Sequence, residues 1–130
     1  DNAAYGEMVE IKLENGESRV VLKIPAVLAP IKAAILPLTK KDGMPEKARE
    51  IMKMLRLDFN CQYEEKDSIG KRYRRQDAIG TPFCITVDHQ TLEDNTVTLR
   101  DRDTMIQERI SVEKLHSIIA EKVNIAKYLA

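Results

Sequence analysis

The run PFCITV at residues 82–87 constrains the fold of this chain more than any other feature. The run is almost continuously apolar, whereas a strand with one solvent-facing side alternates apolar and polar residues. It therefore predicts a strand that is covered on both faces. We expect a sheet with further structure packed on each of its sides.

The segment before this strand predicts two parallel strands joined by a helix. Residues 33–38 (AAILPL) suggest a short buried strand that ends near Pro37. Pro45 then opens a helix whose inward face carries apolar residues at helical spacing, which are Ala48, Ile51, Met52 and Leu55. Residues 58–63 suggest the next strand. This order indicates a right-handed βαβ unit.

The second half of the chain predicts an antiparallel extension of the same sheet. A helix should run from Ile69 to Ala78 or Ile79, because Gly80 and Pro82 are stop signals. Residues 90–95 suggest a polar turn, residues 96–100 an alternating strand, and residues 104–110 a last strand. Ser111 should cap a final helix. The sum is one α/β domain with about five core strands in a mixed sheet and three helices.

The first 24 residues differ from the rest of the chain. Residues 1–18 are polar and contain Gly6, Asn15 and Gly16, which indicates a tether or a short hairpin, and residues 19–24 look extended. We therefore expect an N-terminal tether or connecting segment over residues 1–24 and a folded domain over residues 25–130.

Charge and cysteine content limit the class of protein. The chain has 21 Lys and Arg and 21 Asp and Glu, so any affinity for nucleic acid must come from a local patch. Cys61 and Cys84 are too few for a disulfide framework, which suggests reduced thiols in the cytoplasm. No apolar run approaches the ~18 residues that span a bilayer, and no signal peptide opens the chain. We expect a cytoplasmic protein without a membrane partner.

Basic residues cluster on the predicted helix over residues 69–80. At about 100° per residue, Ile69, Tyr73 and Gln76 share one side of this helix. The basic residues fall on the other side, and they are Lys71, Arg72, Arg74 and Arg75. With Lys66 they predict an exposed positive plate suited to RNA phosphates. An ordinary solvated helix face is the alternative, and the pattern alone does not choose between the two.

A second charged cluster follows at residues 100–103, where the sequence reads RDRD. It predicts either a turn closed by internal ion pairs or an arginine fork that contacts a phosphate or a base edge. Glu93, in the preceding turn, is a surface acid or an acceptor for the amino group of cytosine. His89 and His116 are isolated from any nucleophile motif, and no glycine-rich phosphate loop is present. We therefore expect no catalysis from these residues.

Several long strings resemble the C-terminal anticodon-binding domain of glycyl-tRNA synthetases, within the class II aminoacyl-tRNA synthetases. They are LAPIKAAILPLTKKDG at 28–43, SIGKRYRRQDAIGTPFCITVD at 68–88, TLEDNTVTLRDRDTM at 91–105 and QERI at 107–110. The related prolyl, threonyl and histidyl enzymes look similar only in the sparser pattern of Asp77, Gly80 and Pro82. RYRRQD and LRDRD point to the glycyl branch.

The resemblance implies a three-layer α/β/α sandwich with a five-stranded mixed sheet, which grips the anticodon stem-loop of the glycine tRNA. The second and third anticodon bases of that tRNA are cytosines. By matching position, the resemblance implies that Lys71, Arg72, Arg100 and Arg102 contact the anticodon loop. It implies the same role less strongly for Glu93. Adding the rest of the basic cluster, the RNA-binding residues that we expect are Lys71, Arg72, Arg74, Arg75, Glu93, Arg100 and Arg102.

The resemblance also implies a longer, cytoplasmic, homodimeric enzyme that uses ATP and magnesium in a catalytic domain absent from these residues. We accordingly expect this piece alone to be no enzyme, to hold no cofactor or metal, and to bind no DNA. One alternative stays open, since a fold does not fix a function. It is a non-catalytic α/β domain that serves protein interaction or structure and does not read RNA.

Overall fold

The computed structural model describes residues 7–13 and 15–124 of the chain. Its strands are β1 Glu7–Lys12, β2 Ser18–Lys23, β3 Ala33–Pro37, β4 Cys61–Tyr63, β5 Phe83–Val87, β6 Thr96–Asp101 and β7 Gln107–Ser111. Its helices are α1 Met44–Leu55, α2 Ile69–Ile79, α3 His89–Asp94 and α4 Val112–Lys122.

The main sheet has five strands in the order β4-β3-β5-β6-β7. Strands β4, β3 and β5 are parallel, while β6 runs antiparallel to β5 and β7 antiparallel to β6. Helix α1 connects the parallel pair β3 and β4. The predicted βαβ unit and the predicted mixed sheet are both confirmed.

Helices cover the sheet from both sides, so the fold has three layers. On one side, Ile51 of α1 and Leu115 of α4 belong to the same buried cluster as Ile35 of β3 and Ile85 of β5. On the other side of the sheet, α2 packs on a smaller buried cluster that includes Cys84 of β5. All five residues of β5 are buried, as the apolar run predicts. The predicted α/β/α sandwich is confirmed.

Helix α2 begins and ends at the residues that the sequence indicates. The Ser68 side chain accepts a hydrogen bond from the Lys71 backbone N–H, which caps the start of the helix. Gly80 ends it in the left-handed region at φ 85°. An added Cβ at Gly80 would lie 2.9 Å from Ile24 and 3.1 Å from Leu22, so the glycine also permits a close approach of the chain after β2.

Strands β1 and β2 form a separate antiparallel hairpin. Residues 1–6 of the predicted segment lie outside the described residues. Strand β2 packs against α2, and Val21 in its middle is fully buried. The hairpin therefore adds to the layer formed by α2 without joining the main sheet.

Three local predictions are wrong. The strand predicted over residues 58–63 is shorter, because β4 begins at Cys61. Residues 90–95 are not a turn, because His89–Asp94 form the short helix α3, whose N-cap Asp88 exchanges hydrogen bonds with Thr91 in a capping box. The last strand begins at Gln107 rather than at residue 104. The carboxylate of Asp101 accepts hydrogen bonds from the next backbone N–H groups and holds residues 101–104 in a turn.

The Gly80→Ala substitution should separate backbone strain from close packing. Gly43 has nearly the same φ, 83°, but an added Cβ there meets nothing within 4 Å. We expect Gly43→Ala to lower the free energy of unfolding by about 1 kcal/mol through strain alone. Gly80→Ala should cost about 2–4 kcal/mol, because Ile24 and Leu22 must also move. Urea unfolding followed by circular dichroism measures both, and equal losses would contradict the packing argument.

Candidate functional site

Arg72, one of the predicted RNA-binding residues, lies inside the protein with 2% of its surface exposed. Its guanidinium donates to the carbonyl oxygens of Pro37 (2.6 Å), Glu64 (3.1 Å) and Leu38 (3.3 Å). It thereby satisfies carbonyl groups beyond the ends of β3 and β4. The prediction that Arg72 faces solvent is wrong, because on the helical wheel its position borders the inward-facing Gln76 and its long side chain reaches the buried carbonyls.

Arg74 and Arg75 are exposed, as predicted, but each is paired with acidic neighbours. Arg74 lies 2.5 Å from a carboxylate oxygen of Glu17 in the hairpin. Arg75 bonds Glu64 and lies 2.8 Å from Asp67. The hydrogen bond from Arg75 is the main reason that the pKa of Asp67 falls below its usual value. Acidic residues of the same domain therefore neutralise the predicted plate in part.

Four exposed lysines near one edge of the main sheet lack a carboxylate partner in the described part of the chain. Within residues 7–13 and 15–124, no carboxylate oxygen lies within 4.0 Å of the ammonium groups of Lys40, Lys41, Lys66 or Lys71. These residues follow β3, follow β4 or open α2, so all four lie near the edge where the parallel strands end. We call them the carboxyl-edge lysines.

Arg100 is buried in an ion pair. Its guanidinium donates to both carboxylate oxygens of Asp77 on α2, at 2.8 and 3.0 Å, and lies 4.8 Å from the centre of the Tyr73 ring. Arg19 of β2 approaches the same carboxylate to 3.4 Å. Arg100 belongs to β6, in agreement with the strand predicted over residues 96–100, but its guanidinium faces α2 rather than solvent.

Arg102 also has an internal position, with 2% of its surface exposed. It donates to the carbonyl oxygens of Ile24 (2.6 Å) and Gly80 (2.7 Å) and pairs with Asp103 at 2.9 Å. It therefore connects the hairpin, the end of α2 and the turn after β6. The ion pair with Asp103 agrees with the alternative of a turn closed by its own charges. Glu93 is exposed on α3.

The predicted residues do not converge on one surface. Arg72 lies near the start of α2, whereas Arg100 and Arg102 contact residues at its end. Contact with RNA stays a prediction for all seven residues. For the three buried arginines, such contact would require the guanidinium to leave its present partners.

Helix α2 leaves part of its side of the sheet exposed. Thr86 of β5 hydrogen-bonds the hydroxyl of Tyr73 on α2 at 2.7 Å, and across the sheet Thr86 pairs with Thr98, which pairs with Arg109. Paired residues share a face, so Thr98 and Arg109 lie on the α2 side. They are half-buried and exposed, respectively. We call this surface the open ledge, and its residues are Thr96, Thr98, Gln107 and Arg109.

The ledge ends in an ion pair that was not predicted from the sequence. This pair lies at the edge of the sheet where the parallel strands end. Arg109 bonds Asp88 and donates to the hydroxyl groups of Thr96 (3.0 Å) and Thr98 (3.3 Å). Burial alone would raise the pKa of Asp88, but hydrogen bonds from Arg109 and Thr91 outweigh burial and hold it below its usual value. Asp88 directly follows a parallel strand, and open α/β sheets bind ligands at that end of their parallel strands. This position in the sequence could have marked Asp88 as a candidate site residue.

The described part of the chain contains neither a membrane-spanning helix nor a metal-binding cluster. None of its helices has the length and apolar character that a membrane span requires. Residues 7–13 and 15–124 also contain no group of three or more His, Cys, Asp or Glu side chains placed to hold a metal ion.

The sequence matches the family described as "Anticodon binding domain" over residues 32–122. This match covers most of the chain and includes all five strands of the main sheet. The chain belongs to the anticodon binding domain family. The resemblance seen in the sequence strings is thereby confirmed, and the ledge and the carboxyl-edge lysines are features of an anticodon binding domain.

Three similar curated relatives of this anticodon binding domain are glycine–tRNA ligases. The chain is 57% identical over 114 residues to the glycine–tRNA ligase of Clostridium tetani, covering 88% of this chain and 24% of that protein. It is 51% identical over 112 residues to the glycine–tRNA ligase of Borrelia hermsii, covering 86% and 25%. It is 50% identical over 107 residues to the glycine–tRNA ligase of Thermobifida fusca, covering 82% of this chain and 23% of that protein. The chain spans about a quarter of the length of these relatives.

Removing the Arg100 side chain should destabilise this anticodon binding domain strongly. Arg100→Met leaves the Asp77 carboxylate buried without its main partner, and we expect a loss of about 3–5 kcal/mol in the free energy of unfolding. Lys71→Ala is the control, because it removes an exposed charge and should change stability by less than about 0.5 kcal/mol. Urea unfolding compares the two variants. Similar unfolding midpoints would show that Arg100 does not support the fold.

Proposed function

We propose that this domain binds the anticodon stem-loop of the glycine tRNA as part of a longer glycine–tRNA ligase. The observation that carries the proposal is the match to the anticodon binding domain family together with 57% identity to a glycine–tRNA ligase. Aminoacylation with ATP and magnesium belongs, in this proposal, to the remainder of that enzyme. The longer enzyme would work as a cytoplasmic homodimer, an expectation supported by the resemblance of the sequence strings.

The geometry supports this function through the open ledge and the carboxyl-edge lysines. Single-stranded RNA is recognised through bases that leave the stack and offer their edges to hydrogen-bonding side chains. The ledge offers hydroxyl and guanidinium groups on an exposed part of the sheet, and the carboxylate of Asp88 lies at its edge. The lysines at the same edge provide positive charge for the phosphates of the loop. A domain of zero net charge needs such a local arrangement to hold RNA.

The alternative of a protein-interaction or structural domain that does not read RNA is not favoured. It was proposed because an α/β fold serves many functions. The three relatives described above, at 50–57% identity, are glycine–tRNA ligases, and no observation in the described part of the chain points to a protein partner instead.

Binding of the stem-loop should depend on salt and on the carboxyl-edge lysines. Fluorescence anisotropy with a labelled glycine anticodon stem-loop, over a series of KCl concentrations, gives the slope of log K against log salt concentration. Lys71→Ala should reduce the size of that slope by about 1, because one phosphate contact is lost. Lys114→Ala should leave the slope unchanged, since this exposed lysine lies on α4, on the opposite side of the sheet.

Replacement of both anticodon cytosines tests the finer part of the proposal. We expect the substituted stem-loop to bind at least tenfold more weakly, since each well-made base contact discriminates by about 1–3 kcal/mol. Equal binding of the two stem-loops would remove the glycine specificity and leave tRNA binding. If the chain bound neither stem-loop even at low salt, the proposed function itself would be wrong.

A further inference from the structure

The carboxylate of Asp88 keeps hydrogen-bonding capacity although it is already bonded. Its Oδ1 atom accepts from the backbone N–H and the hydroxyl of Thr91, both at 3.1 Å, and its Oδ2 atom accepts from Arg109. A carboxylate oxygen offers about two acceptor sites, so Oδ2 retains one. The Asp88 side chain is 21% exposed and the Arg109 side chain 30%, which makes the pair reachable from solvent.

Neighbouring side chains hold the Arg109 guanidinium in place. Its Nη1 atom donates to the hydroxyl and the carbonyl oxygen of Thr96, and its Nη2 atom donates to Thr98 and Asp88. Among residues 7–13 and 15–124, no acceptor is bonded to the Nε–H group. The pair therefore presents a fixed acceptor beside a fixed donor at the edge of the open ledge.

We propose that Asp88 and Arg109 together read the Watson–Crick edge of a cytosine in a single-stranded RNA loop. The inference rests on the proposed function and names the side chains that supply its specificity. Cytosine offers an amino donor beside the acceptor atom N3, and a carboxylate beside a guanidinium matches that order. Adenine offers the same order at its amino group and N1, so the comparison with adenine decides between these two bases. Uracil presents an acceptor and then a donor, so it opposes both groups of the pair.

A purely structural role accounts poorly for this arrangement. An ion pair between partly exposed groups contributes about 0–1 kcal/mol to stability. Stability alone therefore gives little reason to orient the guanidinium with two threonines on a part of the sheet that none of the four described helices covers. A base-reading pair, in contrast, gains from groups that are already in position before the base arrives.

The experiment compares anticodon stem-loops in which one cytosine at a time is replaced by uracil or adenine. With the wild-type chain, fluorescence anisotropy should show that one of the two positions prefers cytosine over uracil by roughly 10- to 100-fold. Asp88→Asn should reduce this preference to within about threefold, because the amide nitrogen donates where the carboxylate accepted. The variant should stay folded, since asparagine is as good an N-cap for α3 as aspartate.

Glu50→Gln is the control, because it changes an exposed carboxylate on α1, on the opposite side of the sheet. Its preference for cytosine should equal that of the wild type. The proposal is overturned if Asp88→Asn, folded by circular dichroism, binds the stem-loop and keeps the preference, or if Glu93→Gln alone abolishes it. Equal binding of adenine and cytosine would overturn the assignment to cytosine. A wild-type chain that binds no stem-loop overturns this inference and the proposed function together, whereas the other outcomes overturn the inference alone.

Discussion

The buried carboxylate of Asp77 is the interaction on which the arrangement of the layers depends. It has no exposed surface, and a charge in that position is tolerated only when it is paired and hydrogen-bonded. Arg100 supplies two hydrogen bonds from β6, and Arg19 approaches from the hairpin. One side chain on α2 thus fixes the helix against the sheet and brings the hairpin onto the helix. Arg102 strengthens the same junction through the carbonyl groups of Ile24 and Gly80.

This use of arginine explains why the basic cluster was interpreted incorrectly in part. A helical wheel sorts residues by angle, but it does not record how far a side chain extends or which carbonyl groups need a donor. Arg72 lies at the border of the inward arc and reaches three carbonyls at the ends of neighbouring strands. The wheel was right for Lys71, Arg74 and Arg75, which are exposed. Arginine patterns therefore need a count of the unsatisfied backbone groups around them.

Most of the fold could be predicted because apolar runs and stop signals determine it. The run over β5 predicted a strand covered on both faces, and Gly80 predicted the end of α2. Helix α3 was missed because its six residues are mostly polar, and only the Asp88–Thr91 capping box marks its start. The Asp88–Arg109 pair could not be predicted, since its members are 21 residues apart and meet only through the register of β5, β6 and β7.

The attachments of α2 have a consequence for the surface beside it. Arg72 fastens the first turn of the helix to β3, and Asp77 fastens the last turns to β6. A helix held near both ends resists tilting or sliding across the sheet, so the corner between its flank and the uncovered strands should keep one shape with or without a bound nucleotide. A binding site in such a corner is preorganised and selects ligands by shape complementarity. Little of the binding free energy is then lost to ordering the protein.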